Sequence, residues 1–422
     1  MKARWAAVVN GGLLFLLGAV VGFSLWGQPD WEAAARAVQG RILTLDSHID
    51  IPPDFTRTQA SDPGRRGAMQ ADLPKMRAGG LDAAFFIVYV EQSARTPENY
   101  AAAKQAALVK FDGIHRMAEV LYPDEIGLAI HPDDVERLRG QGKLVALIGI
   151  ENGFAIGKDL ALLEDYYRRG ARYMTLAHIG HNDIADSSMP REELGDAKAE
   201  HGGISAFGAE VIAEMNRLGM MVDVSHVSYS AMMQAVALSK APVIASHSSA
   251  MAVAAHPRNL TDEQMWALAA AGGVMQVVAY SDYVVDDEPR REAWKRLRET
   301  VARAAGDKWF SYAKHGETAM WRDGVEAIER HYPKARLGRF VDHIDHAVAV
   351  MGIDHVGIAS DFGGGGGVRG WNDAAETYRV TAELLRRGYS ERDIAKLWGG
   401  NLLRVWRQTE AVAAELTRSG GE

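Results

Sequence analysis

Seven side chains of this 422-residue chain could together do hydrolytic chemistry. His48 and Asp50 stand two apart in Asp46-Ser47-His48-Ile49-Asp50, at the end of the apolar run Ile42, Leu43, Leu45, and Pro52-Pro53 stop it. The run reads as a short buried strand. Alternate side chains of a strand share a face, so an imidazole and a carboxylate leave its C-terminal end together, a pair that suits a divalent ion such as zinc. Glu151 directly follows the apolar run Leu144 to Ile150. A carboxylate there is costly unless it is exposed, paired or bound to a metal. His178, His226, His247 and Asp361 close four further apolar runs. A lone strand-end histidine is more often structural than a ligand. All these groups at equivalent strand ends point jointly to a metallohydrolase site.

Three imidazoles and two carboxylates can hold two zinc-like ions if one carboxylate bridges them. Glu151 suits the bridge, being long and lying between the two groups of ligands. His48 and Asp50 then complete one ion, and His226 and His247 the other. Two ions sharing a water lower its pKa enough to give hydroxide near neutrality. Asp361 is free to take a proton from that nucleophile and return it to a leaving amine. His178, not needed as a ligand, is free to polarise a scissile carbonyl or stabilise its oxyanion.

The elements that must position these groups follow one rhythm. Strand-like runs appear at Ile42 to Leu45, Leu81 to Val90, Leu144 to Ile150, Arg172 to Ala177, Met220 to Val224, Pro242 to Ala245, Val274 to Val278 and His355 to Ala359. Helical spacing fills the gaps, as in Asp30 to Gly40, Pro97 to Tyr122, Phe207 to Leu218 before Gly219, and Asp262 to Ala271 behind the cap Thr261. Eight strands alternating with helices predict an α/β chain folded as a (β/α)8 TIM barrel, whose active site lies at the C-terminal strand ends. No Gly-rich phosphate fingerprint follows the first strand, which argues against an open doubly wound sheet. The run Gly363 to Gly367 reads as a flexible loop. Residues 281–339, rich in charge and helix formers, read as a helical insertion between strands seven and eight. The barrel is expected over 29–415, with 416–422 as a disordered tail.

Composition is that of a globular protein, 47% hydrophobic and 24% charged. A formal net charge of −8 and the lack of a basic run argue against nucleic acid as partner. There are no cysteines, so any metal is held by His, Asp and Glu. Lys2 and Arg4 precede a mostly apolar run from Trp5 to Trp26, about long enough to span a bilayer. Residues 1–28 are therefore read as a signal anchor or a signal peptide, with Trp26 and Leu25 crowding the cleavage site and favouring the anchor. The catalytic part is expected in the cell envelope, held at the inner membrane and facing the periplasm or the outside.

The pieces DSHID, GIENG, RYMTLAH, VDVSH, PVIASHS, HPRNL, HVGIASDFGG and GGNLLRVW run from residue 46 to about 406. Together they resemble the renal (membrane) dipeptidase family, a branch of the amidohydrolase-like barrels. The resemblance implies two zinc ions per subunit on the ligands above, with Asp361 and His178 acting in catalysis. It implies that Arg258, within HPRNL, binds the free carboxylate of a dipeptide bidentately, that His178 touches substrate, that Tyr280 lines the pocket, and that the enzyme is a homodimer. The implied substrates are L-Xaa-L-Xaa dipeptides, with a D-residue tolerated at the C-terminal position. The stretch after His178, IGHNDIADSS, differs from the animal enzymes and looks like bacterial members, so His181 and Asn182 are candidates for substrate contact. The disulfides of the animal enzymes are missing, and the N-terminal span takes the part of their C-terminal lipid anchor. Amide or lactam hydrolysis on the same site, or a silent tethered binding protein, are the alternative readings.

Overall fold

The apolar runs become the strands of one all-parallel sheet in the structure, a computed structural model describing residues 29–316 and 318–419. The strands are β1 (Leu45–Asp50), β2 (Ala83–Tyr89), β3 (Ile126–Leu128), β4 (Leu144–Glu151), β5 (Ala171–Thr175), β6 (Met221–Asp223), β7 (Ile244–Ser248), β8 (Val274–Val278) and β9 (Val356–Ala359). They pair in the order β1-β2-β4-β5-β6-β7-β8-β9, with β3 added beside β4. Just past β9, Phe362 bridges to Ile49, and the Asp50 N–H donates to the Phe362 carbonyl at 2.7 Å. First and last strands thus meet, and the sheet curls into a nearly closed (β/α)8 barrel.

Continuous apolar strands are buried on both faces, as a parallel sheet between helices requires. The early residues of the strands, among them Leu45, Ala83, Val145, Ile244 and Val274, share one interior cluster with Leu402, Leu403, Val405 and Trp406. The last helix, Asn401–Ser419, therefore closes the N-terminal mouth of the barrel. The opposite mouth carries the polar strand ends. Several crossover helices begin on side-chain caps: Ser205, Ser228 and Thr261 each accept a backbone N–H of their first turn.

Four details differ from expectation. The first strand begins at Leu45 rather than Ile42, so the Asp46–Asp50 motif makes up all of it but the first residue, its backbone pairing with β2 and with the segment after β9. Likewise β7 includes Ser246, His247 and Ser248, whose polar groups find partners within the barrel mouth. The three-residue β3 gave no signal, being too short for a periodicity. The last helix continues to Ser419, past the start set for a disordered tail. Thr417 donates back to the Ala413 carbonyl in its final turns.

Between β8 and β9 the chain forms the helices Ser281–Val284, Glu288–Ala304, Tyr312–His315, Ala319–His331 and Leu337–Met351. The first four make up the helical excursion read at 281–339. Among the described residues no helix is long and apolar enough to cross a membrane. The run Trp5 to Trp26 lies outside the described residues.

Candidate metal centre

Glu151, the last residue of β4, stands at the middle of the barrel mouth, and its two carboxylate oxygens face different neighbours. Oε2 lies 3.5 Å from His48 Nε2. Oε1 lies 3.1 Å from His226 Nε2, 3.2 Å from His247 Nε2 and 3.6 Å from His178 Nε2. His48 Nε2 is also 3.6 Å from Asp50 Oδ2 and 4.0 Å from Asp361 Oδ1. All seven residues singled out in the sequence thus come together. His48, Glu151, His226, His247 and Asp361 are buried, and Asp50 and His178 are half-buried.

Neighbouring hydroxyls set the proton positions on two of the rings. Tyr173 donates its hydroxyl to the Ser47 carbonyl at 3.0 Å, so it accepts from His48 Nδ1, also at 3.0 Å. Ser246 donates to Asp223 Oδ2 at 2.6 Å and so accepts from His247 Nδ1 at 2.8 Å. In the neutral rings Nε2 is then bare on both, aimed at the centre. His226 Nε2 and His247 Nε2 approach to 2.8 Å, and the buried His48 Nε2 has no hydrogen-bond partner among the described residues. Lone pairs and carboxylate oxygens that converge on one point form a site for positive charge, a proton or a cation. Three sets of potential ligands lie within 4.8 Å of one another: His48, Glu151 and His247; Glu151, His178 and His226; His48, Asp50 and Asp361. All donors are nitrogen or oxygen, which fits zinc. The residues present therefore fit the implied metals.

The electrostatics differ between the rings, since the carboxylates draw positive charge to His48 while burial keeps it from the others. Burial resists charge on His48, yet Glu151 and Asp50 outweigh it and hold the ring well above the usual imidazole range. Burial pushes His226 and His247 well below that range, with Arg258 adding to it. Burial also lowers His178, helped by Arg258. Asp361 is pushed well above the usual carboxylate range by burial, with Asp50 and Glu151 adding to it against His48 and Arg258.

The backbone is shaped for the site. Of the four non-glycine residues with positive φ among the described residues, His226 (69°) and Asp361 (58°) are candidate site residues, and Asn152 (81°) follows Glu151. Such conformations collect at functional sites. The loop Gly363 to Gly367, expected to be flexible, is packed onto the carboxylates. A Cβ on Gly364 would stand 2.4 Å from Asp50 Oδ2 and 2.5 Å from Asp361 Oδ1. Gln70 holds this loop, donating to the Gly366 carbonyl and accepting from the Gly363 N–H.

Arg258 is buried, with Nη2 donating to the His247 carbonyl at 2.9 Å and Nε without a partner. Tyr280 stacks on Tyr283, their centroids 4.3 Å apart, and the Arg258 guanidinium lies 5.3 Å from the Tyr283 ring centre. His181 and Asn182 do not face the site. His181 accepts from the Ser187 N–H and bonds the Ala197 carbonyl; Asn182 holds Asn152, Leu176, Ile184 and Ala185. Their polar atoms are consumed inside the loop. Sequence reasoning missed Tyr173, Ser246 and Asp223, which orient the ligands. Tyr173 and Asp223 sit inside RYMTLAH and VDVSH, the only signal for them.

The model of the membrane dipeptidase family, peptidase family M19, matches residues 32–420. The chain is 31% identical to dipeptidase tcpJ of Claviceps purpurea, over 86% of this chain and 74% of that protein. It is 32% identical to dipeptidase aclJ of Aspergillus oryzae, over 82% and 72%. Among solved structures it is similar to the probable dipeptidase PvdM of Pseudomonas aeruginosa, with TM-score 0.80 and 35% identity over 90% of this chain and 99% of that one. A match along the whole barrel puts the chain in the membrane dipeptidase family, peptidase family M19, whose members are metallopeptidases that act on dipeptides.

Proposed function

We propose that the chain is a two-zinc dipeptidase, exported from the cytoplasm, that accepts either an L- or a D-residue at the C-terminal position of its substrate. The observation that carries this reading is Arg258, a buried guanidinium without an acidic partner among the described residues, beside a carboxylate whose oxygens face two groups of ligands. His48, Asp50 and Glu151 would hold one ion, and Glu151, His226 and His247 the other. Two zinc ions held there supply Lewis acidity and lower the pKa of water. Arg258 grips the terminal carboxylate of the dipeptide, which a planar fork does regardless of the configuration at the neighbouring α-carbon. His178, kept neutral, donates its N–H to the scissile carbonyl oxygen. Asp361 accepts a proton at a carboxylate oxygen and passes it to the leaving amine. Lys2 and Arg4 ahead of the Trp5 to Trp26 run support an N-terminus in the cytoplasm and a barrel beyond the membrane.

The test is hydrolysis of L-Ala-L-Ala and L-Ala-D-Ala by the purified enzyme. Both are expected to be cleaved, to survive after chelation, and to be cleaved again on adding zinc. Arg258→Met should raise KM by about 100-fold, the worth of a charge-assisted pair, with a smaller change in kcat. Cleavage of neither dipeptide, or an unchanged KM in the variant, would reject the reading.

A further inference from the structure

The helix Pro97–His115 turns Ala103, Ala107, Lys110 and Ile114 inward. These positions recur at the three- and four-residue spacing of a core stripe. Three of the four are apolar and one is a lysine. Lys110 is only 7% exposed, and its ammonium has no hydrogen-bond or ion-pair partner among the described residues. The side chain is enclosed while the ammonium keeps some accessible surface, so an unpaired charge stands within reach of an arriving anion.

Its surroundings say where that anion would come from. Lys110 Nζ lies over the ring of Tyr89, 5.4 Å from its centre. Tyr89 ends β2, stands in register with Glu151 on β4, and meets the His178 ring edge-on at 4.9 Å. One aromatic ring therefore separates the ammonium from a residue of the reaction centre. Asp50 and Glu151 raise the pKa that burial lowers at Lys110. With cations on those two carboxylates, that attraction is spent and the lysine is left as surplus positive charge. Arg258 follows β7, and in the barrel order three strands separate β2 from β7 on either side. The β2 end, whose Tyr89 carries the lysine's ammonium, is thus opposite the β7 end that leads to Arg258 in the barrel order.

We propose that Lys110 forms a side-chain subsite for a carboxylate on the residue N-terminal to the scissile bond, so that the preferred substrates are dipeptides beginning with Glu or Asp. This rests on the dipeptidase reading, in which Arg258 takes the other end of the substrate. Two cations reached from opposite strand ends of the barrel order then match two carboxylates on one small molecule.

The experiment compares kcat/KM for Glu-Ala with Gln-Ala, and for Ala-Glu with Ala-Gln, in the zinc-loaded wild type and in Lys110→Met and Lys110→Gln. The amide isosteres keep size and remove only charge. The wild type should favour Glu-Ala over Gln-Ala by about ten-fold or more, the worth of a charged hydrogen bond. Both variants should bring that ratio close to one through KM. The ratio is internal to each protein, so partial misfolding cancels. Equal rates on Glu-Ala and Gln-Ala in a wild type that cleaves both would overturn the subsite alone, as would a preference confined to Ala-Glu or a ratio unchanged in the variants. A wild type that cleaves none of the four would sink the dipeptidase reading and the subsite with it.

Discussion

A histidine binds a metal with one nitrogen only if something holds the proton on the other. Tyr173 does this for His48, and Ser246, backed by Asp223, does it for His247. Tyr173 also fills the barrel: it is fully buried, and a Cβ on Gly149 would strike its ring at 2.3 Å. Tyr173→Phe keeps the ring and removes the hydroxyl, leaving a buried Nδ1–H without an acceptor. Zinc affinity should fall about 10- to 100-fold, read by competition with a chromophoric chelator. Affinity equal to wild type would mean that the hydroxyl does not orient His48. The ligands were legible in the sequence because a charged or imidazole side chain closing an apolar run is conspicuous. Tyr173 was not, since a tyrosine inside a buried strand looks like core until its hydroxyl is traced to the Ser47 carbonyl. Lys110 was illegible for a related reason: one lysine in a long helix reads as surface until the helix is turned against the barrel.

Helices and loops hold one another by contacts whose charge state matters. His343, on the helix Leu337–Met351, accepts from the Ala250 N–H at Nδ1 and bonds the Val284 carbonyl through Nε2. It ties the segment that leads to Arg258 to the start of the helical excursion. Burial lowers its pKa to about 4, against the opposing pull of the Val284 carbonyl. Between pH of about 6.5 and about 4 the unfolded chain takes up a proton that the folded ring refuses. The resulting stability is complete above about 6.5 and is lost as pH falls, by ~3 kcal/mol. Denaturant unfolding of wild type and His343→Gln at pH 7 and pH 4 should show the difference between them shrinking by that amount in acid. A constant difference would remove His343 from the account. At this scale the sequence announced each barrel strand through its apolar run but misjudged where β1 starts and where β7 ends, because polar residues in them bond one another rather than water. The fit of the Gly363 to Gly367 loop was hidden too, since glycines mark freedom and tight quarters alike.

For the whole molecule the ligand cluster is a stability problem as well as a catalytic device. Glu151, Asp50 and Asp361 face four imidazoles at one end of a barrel whose other end is closed by the helix Asn401–Ser419. Cations that bind only the folded barrel stabilise it by mass action, ~4 kcal/mol at a thousand times Kd. Chelation should therefore lower Tm by several degrees, and zinc should restore it. A Tm indifferent to chelator would show that the barrel holds no ion. Glu151 carries a consequence beyond stability. It is one side chain, and its Oε1 cannot turn toward the His226 half without its Oε2 moving with it. Whatever fixes this carboxylate toward one group of imidazoles therefore also fixes it toward the other. If two ions are held as proposed, activity should climb steeply with free zinc, and a shallow single-site curve in a metal titration would argue against a carboxylate shared between the two halves.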